Sequence, residues 1–161
     1  MEVQQVEEAN LDELLAVAVQ DAAPEEVMPA VAGPPGWTAE RRESFREWHR
    51  DRWPGLHGPL REATFVIRYE GKAVGSARLA RRDGEDVLET GMWLGRSHRG
   101  RGIGTAALGI VLAEAARAGA RAVVADTTQD NTAALVALRR NGATLSAGHD
   151  GTGTHAELTS N

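Results

Sequence analysis

Arg99-Gly100-Arg101-Gly102-Ile103-Gly104-Thr105 puts a glycine at every second position between two apolar segments. Before it, Val87 to Leu94 reads as a strand. After it, Leu108, Val111, Leu112 and Ala115 recur at helical spacing, which predicts a helix from Ile103 to Ala118 with Gly119 at its C′ position. Strand, glycine loop and helix N-terminus, in that order, are the parts of an anion cradle. Backbone N–H groups converge on a phosphate where no Cβ holds it away, and the first turn of a helix has N–H groups without intrahelical partners. The stretch therefore reads as a pyrophosphate-binding loop.

Upstream of it the period is that of strands. Thr64 to Tyr69 is a strand, Glu70-Gly71-Lys72 a turn, and Ala73 to Leu79 its antiparallel partner; a second turn at Arg82-Asp83-Gly84-Glu85 leads into Val87 and completes a meander. Earlier still, Thr38 caps a helix that reaches Trp53 and is stopped by Pro54-Gly55, with Phe45, Trp48 and the stem of Arg52 on one face. Asp21 to Gly36 is rich in Pro, Gly, Ala and Glu and reads as a loop with at most one helical turn, the segment expected to move most. Leu11, Leu14, Leu15 and Ala18 share a face of a helix from Leu11 to Val19, with Asn10 as its N-cap, and Val3 and Val6 suit a short opening strand. Downstream, Ala122 to Ala125 is a short buried strand, Asn131 caps a helix from Thr132 to Arg140 that Gly142 ends, and Thr144-Leu145 with Thr154 to Leu158 form a last hairpin. This order predicts a single α/β (α+β) domain over 1–161, with a mixed, mostly antiparallel twisted sheet flanked by helices.

Composition narrows the chemistry. A chain of 161 residues buries about 70% of its unfolded surface without covalent staples. It has no cysteine, so a disulfide framework, a thiolate metal site and a cysteine nucleophile are excluded, and a reducing cytoplasm suits it. The net charge of −5 argues against nucleic acid as a partner, although Arg96, Arg99 and Arg101 make one basic spot of the size a small anion needs. Met1 to Asn10 lacks the basic and apolar regions of a signal peptide, and no apolar run approaches the ~20 residues of a membrane span. The expectation is a soluble, cytoplasmic protein that contacts neither nucleic acid nor membrane. His49 and His57 lack a second ligand at metal spacing, so no metal is expected.

Two ligands compete for the glycine loop. Gly102-x-Gly104-x-x-Ala107 fits the dinucleotide fingerprint, with Asp126 about 20 residues on as a ribose-binding acid. That fingerprint needs a strand running straight into its first glycine, and here Gly95-Arg96-Ser97-His98-Arg99 intervenes. It also needs further strand–helix–strand units, for which the segment after Asp126 is too short. The chain instead resembles the GNAT superfamily of N-acyltransferases. Arg99-x-x-Gly102-x-Gly104, preceded by Met92-Trp93-Leu94, is similar to that family's acyl-CoA signature. Asn131-Thr132-Ala133-Ala134-Leu135 through Leu138-Arg139-Arg140-Asn141-Gly142-Ala143 is similar to its last block, with Ala143 where the family has Phe. The wording Thr90 to Arg96 looks most like the branch that holds ribosomal-protein N-terminal and antibiotic or amino-acid acetyltransferases. Residues 1–62 carry no signature and correspond to the family's variable acceptor-side helices; 63–161 correspond to the donor-binding core and C-terminal hairpin.

The resemblance implies acetyl-CoA as donor and a primary amine as acceptor, joined by direct attack on the thioester. The implied donor site is Met92, Trp93 and Leu94 beside the pantetheine arm, Arg99, Gly100, Arg101, Gly102, Ile103, Gly104 and Thr105 around the pyrophosphate, and Asn131 from the other side. Arg99 and Arg101 read equally as solvated loop charges, and Asn131 as a simple cap. Glu89 is the implied general base, lying on the strand that leads to the loop and sharing a face with Gly91 and Trp93; its rival role is a cross-strand partner for Arg78. The family's acidic tyrosine is replaced by Leu138, and the only tyrosine, Tyr69, stands on what reads as a distant strand. His155 and Ser146 are candidate substitutes. Trp37, Phe45, Trp48 and Trp53 are either core or an acceptor pocket shared with Glu40, Glu43 or Glu47. The expected activity is acetylation of a small-molecule amine such as an amino acid, polyamine or antibiotic. Protein N-terminal acetylation, a non-catalytic acyl-CoA-binding module and, remotely, a dinucleotide-binding protein are the alternatives. A homodimer through the last hairpin or the edge of the meander is compatible with the residues.

Overall fold

The computed structural model describes residues 1–82, 86–148 and 153–159. Its elements are β1 (Glu2–Gln5), α1 (Glu8–Asp21), α2 (Pro24–Val27), α3 (Ala39–Arg50), β2 (Glu62–Tyr69), β3 (Lys72–Arg82), β4 (Val87–Leu94), α4 (Ile103–Arg117), β5 (Ala122–Thr128), α5 (Thr132–Arg140), β6 (Thr144–Ala147) and β7 (Gly153–Thr159). Single 3-10 turns stand at Gly55–His57 and Arg96–His98.

Among the described residues these strands form one sheet in the order β1-β2-β3-β4-β5-β7-β6. Every pairing is antiparallel except β4 with β5. The sheet is therefore mixed and mostly antiparallel, as the sequence predicts. Glu70 (φ 53°) and Gly71 (φ 80°) both lie in the left-handed region, the geometry of a type I′ hairpin turn between β2 and β3. The second expected turn, Asp83-Gly84-Glu85, lies outside the described residues.

Strand alternation divides the core in two. Ile67, Leu79 and Leu88 pack on one face against Ile103, Ala107, Val111 and Ala115 of α4. Val66 and Ala73 pack on the other against Leu11, Leu14, Leu15 and Ala18 of α1 and Phe45 of α3. A third cluster beneath α5 joins Leu108, Ala137 and Leu138 to Ala125, Ala156 and Leu158. Among the described residues no helix is long and apolar enough to cross a membrane.

Three local readings need correction. Asn10 is not the N-cap of α1: Glu7 is, and Asn10, inside the first turn, accepts from the Glu7 N–H at 2.9 Å and donates to the Gln5 carbonyl at 3.0 Å. The helix capped by Thr38 ends at Arg50, before Trp53. β5 runs on through Asp126, Thr127 and Thr128, because β7 pairs with it over that whole length.

One feature of the register positions the site. β4 and β5 pair only where Val87, Leu88 and Glu89 meet Ala122, Val123 and Val124. Both strands continue, β4 to Leu94 and β5 to Thr128, without pairing to each other. The sheet opens between them, and the β5-facing N–H and C=O groups of Thr90 to Leu94 line that opening.

Candidate active site

β4 ends at Leu94, beside the opening, and delivers the chain into the glycine loop. Gly100 (φ 73°) and Gly102 (φ 80°) are left-handed, and a Cβ on either would meet nothing within 4 Å. Conformation, not crowding, calls for glycine at these two positions. Gly102 is also the N-cap of α4, so no side chain covers the helix start. The first intrahelical bond runs from the Ala106 N–H to the Gly102 carbonyl at 3.2 Å, which leaves the N–H groups of Ile103, Gly104 and Thr105 pointing out of the first turn. Gly104 is different: a Cβ there would touch only Leu94 Cδ1, at an ordinary 3.6 Å. Neither its backbone nor its protein neighbours require glycine.

The loop is held by a residue the sequence did not single out. Asp21, at the end of α1, accepts from the Ser97 N–H at 3.1 and 3.2 Å and from the Ser97 hydroxyl at 2.6 Å. Gly95 makes room for it, since a Cβ at Gly95 would come within 2.3 Å of Asp21 Oδ2. The two arginines of the motif part company. Arg99 turns back, its Nε donating to the Leu94 carbonyl at 3.1 Å and its terminal nitrogen 3.6 Å from Glu26. Arg101 has no carboxylate partner among the described residues and lies 5.6 Å from the Tyr69 ring centroid. Tyr69 is thus not remote from the loop as its strand position suggested. Asn131 caps α5 by accepting from the Ala134 N–H at 3.1 Å. Asn141 ties α5 to α4 by donating to the Thr105 and Ala137 carbonyls.

On the opposite face of β4, beneath α2 and α3, lies a cavity of about 250 Å³. Met28, Trp48, His49, Arg78, Gly91 and Trp93 are among its lining residues, and Glu26 is at its wall. Of the aromatic cluster, Phe45 is core, edge-on to Trp37 with centroids 6.0 Å apart. Trp48 lines the cavity and stacks on the Arg52 guanidinium at 3.8 Å. The acidic residue at this cavity is Glu26; Glu40, Glu43 and Glu47 are exposed elsewhere on α3.

Glu89 stands where β4 and β5 cease to pair. Its carboxylate accepts from Arg78 at 2.9 Å and from Arg82 at 3.1 and 3.2 Å, and Arg78 also donates to Glu62, which pairs with Arg52. The hydrogen bond from Arg82, and then that from Arg78, hold the Glu89 carboxyl below its ordinary range against the opposing effect of burial. Glu89 is therefore ionised and makes the cross-strand pair with Arg78. His49 is 1% exposed; its Nδ1 lies 2.9 Å from the Thr64 hydroxyl and its Nε2 has no partner. Burial, assisted by the charge of Arg52, pushes its pKa down to about 3.

The positions considered for a general acid are separated. Leu138 is buried in the cluster beneath α5 and carries no proton. His155 pairs with Asp126 at 2.9 Å on the β5–β7 side of the opening, with Ser146 opposite it on β6.

The acetyltransferase (GNAT) family model matches residues 24–143. No curated protein matches the chain. Solved structures with the same fold include the GNAT domain of S. lividans PAT, 17% identical over 98% of this chain and 89% of that one, with a TM-score of 0.71. A putative acetyltransferase from Salmonella typhimurium, solved with acetyl-CoA, is 19% identical over 100% and 94% of the two chains, with a TM-score of 0.68. A ribosomal-protein-alanine N-acetyltransferase from Brucella melitensis is 20% identical over 99% of each, also at 0.68.

Proposed function

This chain belongs to the acetyltransferase (GNAT) family, and from that premise we propose that it transfers an acetyl group from acetyl-CoA to the primary amine of a small molecule in the cytoplasm. The observation that carries the proposal is the opening between β4 and β5, which leads to the bare first turn of α4. Backbone groups of Met92, Trp93 and Leu94 hold the amide-bearing arm of the donor as a neighbouring strand would. N–H groups from Gly100 to Thr105 and the α4 N-terminus hold its pyrophosphate. Gly104 supports this fit: since nothing in the protein requires glycine there, the space over it serves a ligand. Arg101, with no carboxylate partner among the described residues and its guanidinium over the Tyr69 ring, supplies a cation at the rim. Asn131 reaches the arm from α5 with the amide nitrogen that its capping bond leaves over.

The acceptor amine enters from the cavity side of β4. Once the ammonium has given one proton through water to Glu89, its nitrogen bonds to the acetyl carbon as the carbon–sulfur bond breaks, and the second proton lost from nitrogen passes to solvent. N–H donors in the Met92 to Leu94 segment stabilise the negative charge that develops on the carbonyl oxygen. Glu89 acts as an ionised carboxylate that draws the ammonium in and accepts its proton through water. Its two arginine partners weaken it as a base, so it assists rather than dominates. The thiolate leaves unaided: a thiol pKa of ~8.5 makes protein acid catalysis dispensable, in keeping with Leu138.

Acetyl-CoA-dependent thiol release over a panel of amines tests the proposal, with thermal unfolding in the presence of CoA or NAD as a binding control. Turnover with a small amine, and protection by CoA alone, is expected. Protection by CoA without turnover on any amine or N-terminal peptide would indicate a binding module. Protection by NAD alone would restore the dinucleotide reading.

A further inference from the structure

The cavity wall contains one buried side-chain nitrogen without a hydrogen-bond partner among the described residues. Ser76 donates to the Phe65 carbonyl at 2.8 Å, Arg78 is engaged by Glu62 and Glu89, and Glu26 is within 3.6 Å of Arg96 and Arg99. Among the buried side-chain nitrogens and oxygens of the wall, only His49 Nε2 has no hydrogen-bond partner. A buried polar group without a partner is costly, and a native site that keeps one has a use for it.

The neighbours of the ring define what it offers. Phe45 and Trp48 flank it, with ring centroids 4.6 and 4.9 Å away. Thr64 is 2% exposed, and its hydroxyl lies 2.9 Å from His49 Nδ1. With the Thr64 hydroxyl donating to Nδ1, the imidazole proton sits on Nε2, a neutral donor with nothing among the described residues to receive it. A general-base role is excluded, because an imidazole with a pKa near 3 does not take a proton from an amine.

We propose that the Nε2–H of His49, positioned by Thr64, is the specificity determinant of the acceptor cavity, and that the substrate is an amine bearing a hydrogen-bond-accepting oxygen near the amino group. An amino-acid amide has such an oxygen; an alkylamine or polyamine has none. This inference rests on the acetyl-transfer reading above for the identity of the acceptor side, but one arm of its test does not need turnover.

The first arm measures kcat/KM by thiol release with saturating acetyl-CoA, using leucinamide and isoamylamine as probes. Isoamylamine keeps the branched side chain and lacks the carboxamide. The preference of the wild type for leucinamide is divided by that of the variant, so the differing basicity of the two amines cancels. His49→Phe is expected to reduce the preference tenfold or more, and Thr64→Val to reduce it less, because the donor remains but its tautomer is no longer held. A preference unchanged within twofold in both variants overturns the proposal. The second arm uses wild-type protein with 15N-labelled histidine, so it stands even where a variant fails to fold. The expected spectrum shows a protonated Nε2 and an unprotonated Nδ1, steady from pH 5 to 8. The Nε2 signal should move on addition of leucinamide and stay with isoamylamine. A protonated Nδ1, or a signal that ignores leucinamide, refutes the assignment. Absence of turnover with a responsive Nε2 signal would instead count against the acetyl-transfer reading alone.

Discussion

Acidification from pH 7.5 to 5.0 should destabilise the protein through His49 more than through any carboxylate. In the unfolded chain the imidazole has a pKa near 6.5; in the fold it is pushed to about 3. The folded value is depressed, so His49 contributes stability that is fully present above about 6.5 and is lost as pH falls toward 3. At pH 5.0 the unfolded imidazole is almost wholly protonated while the folded one is not. With about 1.4 kcal/mol per pKa unit, the loss between pH 7.5 and 5.0 is roughly 2 kcal/mol. The lowered pKa values of Glu13 and Glu89 act below the ordinary carboxylate range near 4.5, and so lie outside this window. The charged groups that face the ring are Arg52, which pairs with Glu62, and, on the cavity wall, Arg78 and Glu26. Urea unfolding at the two pH values, for the wild type and His49→Phe, gives the comparison. All other titrations are common to both proteins, so the difference in their pH dependence isolates His49. A difference under about 0.5 kcal/mol would mean that His49 is solvated and protonatable in the fold, against the burial from which the figure follows.

Three further outcomes test the donor and acceptor sides. Glu89→Gln is expected to lower kcat by roughly 10–100-fold with little change in the KM for acetyl-CoA, as loss of an assisting carboxylate should; a steady-state comparison in which only the donor KM moves would contradict it. Gly104→Ala should have opposite effects on fold and ligand. Placing alanine in α4 raises stability by up to about 1 kcal/mol, while its methyl group weakens CoA binding at least tenfold by calorimetry; unchanged affinity would remove the reason given for glycine there. Arg101→Ala should weaken CoA binding several-fold and reduce its salt dependence, whereas Arg99→Ala should act more on thermal stability, because Arg99 is bound to the Leu94 carbonyl. Equal effects of the two on CoA affinity would show that Arg99 leaves that carbonyl for the ligand.

What could be read from the sequence was local, and what could not be was made by pairing. Gly102 declares a left-handed residue and Asn131 a cap within a few positions of the helices they begin, so the loop, both helices and their ends were visible in one dimension. The opening in the sheet was not. It exists because β4–β5 pairing stops at Glu89 and Val124 while each strand keeps its other neighbour, and no residue type in either strand announces where pairing ends. Asp21 was hidden for the same reason: it holds Ser97 across a sequence gap that no spacing rule spans. Phe45 and Trp48 look alike on a helical wheel, and only the strands beneath α3 send one into the core and the other to the cavity. His49, beside them, reads as one more polar residue until Thr64 of β2 takes one of its nitrogens and leaves the other. The cavity wall draws on both Trp48 and His49 before residue 62 and Arg78, Gly91 and Trp93 after it. On the proposed reading, acceptor choice is thus not a property of the variable helices alone. Exchanging residues 1–62 between relatives while keeping β2 to β4 would separate His49 from Thr64, and specificity would not travel with the helices.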